Sequence, residues 1–397
     1  MPILLAAVSL LLVSTLSSCF TSSYPLYVIA RFFAQGSATA TYLTNGIVLF
    51  EVTTHDNRPI HVVLTGVIAS VVFDLWLVAI HGEKATWQVK QAIFISPTFL
   101  MLTAFFYPLE SPRWLVAKGR LKEAEEVMLA AAELNNFPLQ SAACLVEDLR
   151  KQVETLPDFT LTETDSLLGG VSIGKRAVAA FALCFSIAYT MRIVLYLVVT
   201  RQSYLVQWAA FAATVLCFLP MLHLLKKFPM LKYMTTCFAA LGTLTCLLSL
   251  LIAIEPVIIS DALLVTAKAL GTTVNVVFTV YTQELFPTAV RGTASGWILG
   301  SGALGSFCAT LSVRLQKGRH IDVALAIAGC LLFASMLGRL ALPRNTTVEC
   351  AKMTSKRASI YTRKMLEHMK RTLEKSGTSR SRTPTPKGHR TPVRLTE

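Results

Sequence analysis

The most constraining feature of this chain is a series of long apolar runs with almost no charge in them. Residues 1–30 hold no Asp, Glu, Lys or Arg at all. At 1.5 Å of rise per residue, runs of about 20 residues match a hydrocarbon core about 30 Å thick. Ten such spans are read at roughly 1–20, 24–50, 60–80, 89–108, 176–199, 203–224, 230–253, 258–283, 292–314 and 320–342. A transmembrane barrel would show short alternating segments instead. The expected class is therefore all-α and polytopic. Composition agrees: 53% of the 397 residues are hydrophobic and only 15% charged. The first span, rich in Leu and ending in small residues, resembles a signal peptide in part. It has no basic leader and its apolar run continues, which favours a membrane span.

Charge is placed as well as scarce. A mixed insert, 109–175, separates four spans from six, and a basic tail follows them. The chain then divides into 1–108, 109–175, 176–343 and 344–397. From Arg344 onward there are 14 Lys and Arg against 4 Asp and Glu. Lys and Arg mark cytosolic segments of membrane proteins, so the insert and the tail are both expected in the cytosol. Arg314, Lys317 and Arg319 fit that orientation poorly. The insert predicts a short helix with Leu121, Ala124, Val127, Met128 and Ala131 on one face. Residues 353–374 predict a basic amphipathic helix lying on anionic lipid headgroups, and the Ser-, Pro- and Arg-rich end predicts disorder. A nucleic-acid partner is not expected. The sequon at Asn345 is expected to be unused on the cytosolic side. The nine Cys have no metal-ligand spacing and read as small apolar side chains, so no metal and no cofactor is expected.

Two charged positions recur. The second span ends in Glu51 with Arg58 seven residues on; the eighth ends in Glu284 with Arg291 seven residues on. Each span also carries a cation well inside it, Arg31 and Lys268. Repeated halves are a known way to build transporters, and paired charges at their ends suit a gate that opens and closes. The plainer reading is interfacial charge near headgroups; the double occurrence favours the gate. A charge at mid-bilayer costs about 2.5–3.5 kcal/mol on insertion scales, which makes Arg31, Asp74, Arg192 and Lys268 candidate functional residues. Asp74 is read first as the partner of a neighbouring Lys or Arg, and second as the counter-charge of a cationic substrate. Arg192 could hold an anion. Tyr189, Phe278 and Tyr281 read first as packing and second as the wall of an amphiphile-binding cavity. No phosphate loop or nucleophile–base pair is present, so no enzyme is expected.

The stretch LESPRWLVAKGRLKEAEEVML (109–129) resembles the loop after the sixth helix in the organic cation, anion and carnitine transporter branch of the major facilitator superfamily, and 284–297 resembles that family's connection between its tenth and eleventh helices. YVIARFF followed by Glu51 resembles its fourth helix. The resemblance covers residues 1 to about 343. It implies a two-bundle fold in which the ten spans correspond to helices three to twelve, with the first two absent. It also implies conformational roles for Glu110 and Arg113 beside Glu51, Arg58, Glu284 and Arg291. At Ala303 the family often carries a substrate-selecting charge, and this chain does not. The resemblance thus implies a secondary transporter of small organic ions or amphiphiles in the plasma membrane. The alternative is a transport-incompetent or regulatory relative, or a fragment of a longer transporter.

Overall fold

A computed structural model describes residues 2–52, 64, 66–75, 86–96, 98–100, 110–117, 120–136, 171–201, 203–227, 230–254, 257–286, 288–315, 321–338 and 342. The helices are α1 (Pro2–Phe20), α2 (Tyr24–Val52), α3 (Gly66–Leu75), α4 (Trp87–Ile95), α5 (Pro112–Ala117), α6 (Leu121–Leu134), α7 (Val171–Thr200), α8 (Tyr204–Lys227), α9 (Met230–Ile254), α10 (Val257–Leu285), α11 (Thr288–Leu315) and α12 (Ile321–Met336). No strand occurs among the described residues. Among the described residues, six helices are long and apolar enough to cross a membrane: α1 and α7 to α11. α2 is not among the six although it runs for 29 residues. The spans read at 60–80, 89–108 and 320–342 fall only partly within the described residues. Arg58, the sequon and the basic tail lie outside them.

Without water, every backbone polar group must be satisfied within the span, and a helix does that along its own length. The same constraint explains how hydroxyls are tolerated. Thr15 donates to the Leu11 carbonyl at 2.7 Å, Thr41 to Ser37 at 2.9 Å, Thr190 to Ser186 at 2.8 Å and Thr273 to Ala269 at 2.7 Å. Each returns its proton to the helix that carries it, so the side chain demands no partner elsewhere.

Helices in lipid associate through close packing, which small residues permit. In the second half, α11 lies along α7, with Gly302 against Cys184 and Ala188, and Gly305 against the Phe185 carbonyl. A Cβ at Gly305 would collide with that backbone oxygen, so the glycine sets how near the two helices come. α12 meets α9 in the same manner, where Gly329 faces Cys246 and Gly242 faces Phe333. α10 packs on α7, α8 and α9. The largest core cluster lies in this half.

In the first half, α1 packs on α2 and α4, and Gln91 ties it in by donating to Ser18 at 2.7 Å. The halves meet in a second cluster: Phe50 from α2, with Val67 and Val71 from α3, packs against Phe218, Met221, Val276, Val277 and Val280 of α8 and α10. The insert contributes as well. α5 lies against α6 and α11, and its Leu115 is buried. In α6, Ala124 is the buried residue.

Candidate gate and transport pathway

Glu51 is the penultimate residue of α2, and Arg291 sits in the first turn of α11. The structure brings them together across the two halves: Arg291 Nη1 donates to Glu51 Oε1 at 3.0 Å. Both side chains are buried. The guanidinium is held from three further directions. Nε donates to the Gln283 carbonyl at 2.8 Å and Nη2 to the Phe286 carbonyl at 3.3 Å, both at the end of α10. Its Cζ stands 4.7 Å above the Phe50 ring. Those carbonyls are free because α10 ends at Leu285, and a helix leaves its last carbonyls without partners of its own. Nearby, Gly46 of α2 faces the Gln283 side chain, and Gly296 of α11 faces Leu43.

A second pair joins the halves through a different couple of helices, α3 and α10. Lys268 of α10 donates its Nζ to Asp74 Oδ2 of α3 and approaches Thr214 Oγ1 of α8 at 3.4 Å. Asp74 and Lys268 are 5% and 4% exposed, so neither charge has water to compensate it. Of the two readings of Asp74, the side chain is placed in an internal pair. Just inward, Gly66 of α3 packs on Val276 of α10.

The remaining sequence candidates fall in different settings. Arg192 of α7 is exposed, and its Nε donates to Thr310 Oγ1 of α11 at 3.1 Å. Arg31 is exposed on α2. Tyr189 is buried and donates to Ser312 at 3.2 Å, while Phe278 and Tyr281 are packed into the core of the second half. Ala303 is exposed on α11, and Glu284 is half-buried. Glu110 is bridged by Arg120 at 3.4 Å. The Arg120 pKa is raised above its ordinary value, first by its hydrogen bond to Glu123. Arg113 lies on α5, with its side chain outside the described residues.

Three partners escaped sequence reasoning. Thr214 looks like any other hydroxyl in an apolar run. Arg120 is one of several cations in the insert. Arg201, just past α7, pairs through Nε with Asp261 Oδ1 of α10 at 3.2 Å and donates Nη2 to Ser260 at 3.1 Å. A signal for that pair existed, since both charges border apolar runs.

Residues 1–344 match the family described as Sugar (and other) transporter. Mouse solute carrier family 22 member 12 is 22% identical over 345 residues, covering 83% of this chain and 60% of that protein. Human solute carrier family 22 member 13 is 24% identical, covering 83% and 58%. Mouse organic cation/carnitine transporter 2 is 26% identical, covering 58% and 41%. The chain therefore spans roughly half of the length of the curated relatives it matches. Among solved structures, the major facilitator proton:xylose symporter XylE bound to 6-bromo-6-deoxy-D-glucose aligns with a TM-score of 0.67 at 17% identity, covering 88% of this chain and 82% of that one. The inward open conformation of the xylose transporter XylE from E. coli aligns at 0.61, with 18% identity and coverage of 86% and 79%. The fold is that of the major facilitator superfamily, the similar curated proteins are solute carrier family 22 members, and the chain belongs to the sugar (and other) transporter family.

Proposed function

We propose that this chain works as a secondary transporter of small organic ions or amphiphiles in the plasma membrane, with 109–175 and the tail in the cytosol. The two halves rock about a central site, and the Glu51–Arg291 bond closes the cytosolic end of the path. The observation that carries this reading is that bond: it ties α2 of one half to α11 of the other and is buried. Arg291 retains the carbonyls of Gln283 and Phe286 when Glu51 withdraws, so the bond can open without stranding a cation. Glu110 and Glu284, together with Arg58 and Arg113, are proposed to take part in the same closure as the halves tilt. The basic tail would rest on anionic headgroups. No chemistry on the substrate is required, and an enzymatic role is not proposed.

The test is uptake by the 397-residue chain, expressed in cells, of a panel of organic cations, organic anions and carnitine. Uptake above background, lost in Arg291→Ala and Glu284→Gln while both variants reach the surface, is the expected result. Surface delivery without uptake of any compound would favour a transport-incompetent relative. Normal uptake by both variants would remove the gate.

A further inference from the structure

Resting on the gate reading above, we propose that Gln283 sets how readily the cytosolic end opens. Its side chain seats the closed interface, while its own amide oxygen is held there unfavourably, so the closed end is sprung toward opening. The residue is engaged twice at the end of α10. Its main-chain carbonyl accepts from Arg291 Nε at 2.8 Å, which helps aim the guanidinium at Glu51. Its side chain reaches out of the second half and lies against α2 at Gly46, where a Cβ would stand 2.7 Å from Nε2. Glycine leaves the amide that room. Gly46 and Phe50 are four residues apart and so share a face of α2. The Phe50 ring lies beneath Arg291. Gln283 and Arg291 therefore grip one face of α2, a turn apart, from the opposite half.

The oxygen of the same amide is the opposing element. Gln283 is 3% exposed, and its Oε1 is buried with no hydrogen-bond donor among the described residues. Most buried polar atoms have a partner, and one left without it forfeits the hydration it has in water. That penalty holds only while the halves are together, because the side chain faces the interface. Parting the halves returns the amide to water and removes it, while Arg291 keeps the Gln283 and Phe286 carbonyls on its own half. The neighbouring residue shows what is unusual here. Thr282 is buried too, but its hydroxyl donates to the Thr279 carbonyl of its own helix at 2.8 Å. An amide oxygen has no such recourse, since it can only accept and the helix N–H groups are already taken. One side chain thus makes two contributions of opposite sign: contact at Gly46 favours closure, and the unpartnered oxygen disfavours it.

The test uses the full chain, purified in detergent, with Val280→Cys as a reporter. Val280 is wholly buried in the apolar cluster between the halves, so a hydrophilic maleimide reaches a thiol there only when the cytosolic end opens. The unsubstituted chain, with its nine native cysteines, sets the background. Gln283→Met keeps the length and the contact at Gly46 while removing the oxygen. It should slow labelling roughly 5- to 100-fold, the effect of relieving one unpartnered buried acceptor. Gln283→Leu also removes the oxygen and serves where the Met variant does not fold. Gln283→Ala removes the contact as well and should label faster than either. Labelling unchanged or faster in Gln283→Met and Gln283→Leu overturns the proposal, as does Gln283→Ala labelling as slowly as Gln283→Met. Glu51→Gln, measured in the same way, separates this role from the gate reading and should label faster than the reporter protein. Slower labelling in Gln283→Met with no change in Glu51→Gln upholds the role of Gln283 and removes the gate. Faster labelling in Glu51→Gln with Gln283→Met unchanged upholds the gate and removes the role of Gln283.

Discussion

When Glu51 leaves, Arg291 keeps two backbone carbonyls of its own half, those of Gln283 and Phe286. When Asp74 leaves, Lys268 keeps only Thr214 at 3.4 Å. Both pairs join α-helices of opposite halves, and both are buried. They differ in what remains when they break. A buried pair broken on one side exposes the other charge to its full desolvation cost, and removing one partner typically destabilises by about 3–5 kcal/mol. The arginine escapes most of that through the uncapped end of α10; the lysine does not. We therefore read Glu51–Arg291 as the bond that opens and Asp74–Lys268 as the strut about which the halves turn. Between them lies the apolar cluster of Phe50, Val276, Val277 and Val280, which any tilt must shear.

The sharpest way to break this comparison is at the strut. Asp74→Asn or Lys268→Met alone should destabilise the protein by about 3–5 kcal/mol, read as an early thermal transition in detergent and poor surface delivery. The double variant, which removes both charges, should recover most of that loss. A double variant as unstable as the singles would show that the contact matters for something other than charge balance. Glu51→Gln should be milder for stability, about 1–3 kcal/mol, because only one of the arginine's partners is weakened. It should nonetheless slow transport strongly, because the closed end would lose the bond that holds it shut. A variant that falls in the opposite order, stable at the strut and unstable at the gate, would reverse the assignment.

The sequence carried much of this and missed the rest for identifiable reasons. Glu51 and Arg291 stood out because each half repeats an acid followed seven residues later by a cation, at the end of a span. Which of the four charges would meet could not be read, since spacing along one helix says nothing of its angle to another. Asp74 announced a need for a partner by its depth in an apolar run, and Lys268 was one of few cations able to supply it. Thr214 gave no such sign: a threonine that can bond its own helix, as this one does to Ala210 at 2.7 Å, is unremarkable in sequence. Tyr189 and Tyr281 were ambiguous because an aromatic face suits a cavity wall and a packed core equally. Burial at 4% and 0% places both among packed side chains. The six long spans were legible from hydropathy alone. α2 was legible too, although its polar face lowers the contrast that hydropathy relies on.

The most direct test joins the halves covalently at each place in turn. A short bifunctional thiol reagent would link Leu43→Cys with Gly296→Cys beside the gate, where a Cβ on Gly296 would stand 3.9 Å from Leu43 Cδ2. In a second protein it would link Gly66→Cys with Val276→Cys, inward of the strut. The unsubstituted chain, with its nine native cysteines, is treated identically as the control. The account predicts that the first link abolishes uptake and the second leaves it largely intact. Full uptake with the first link in place, or equal loss with both, would contradict the division of labour between the two pairs.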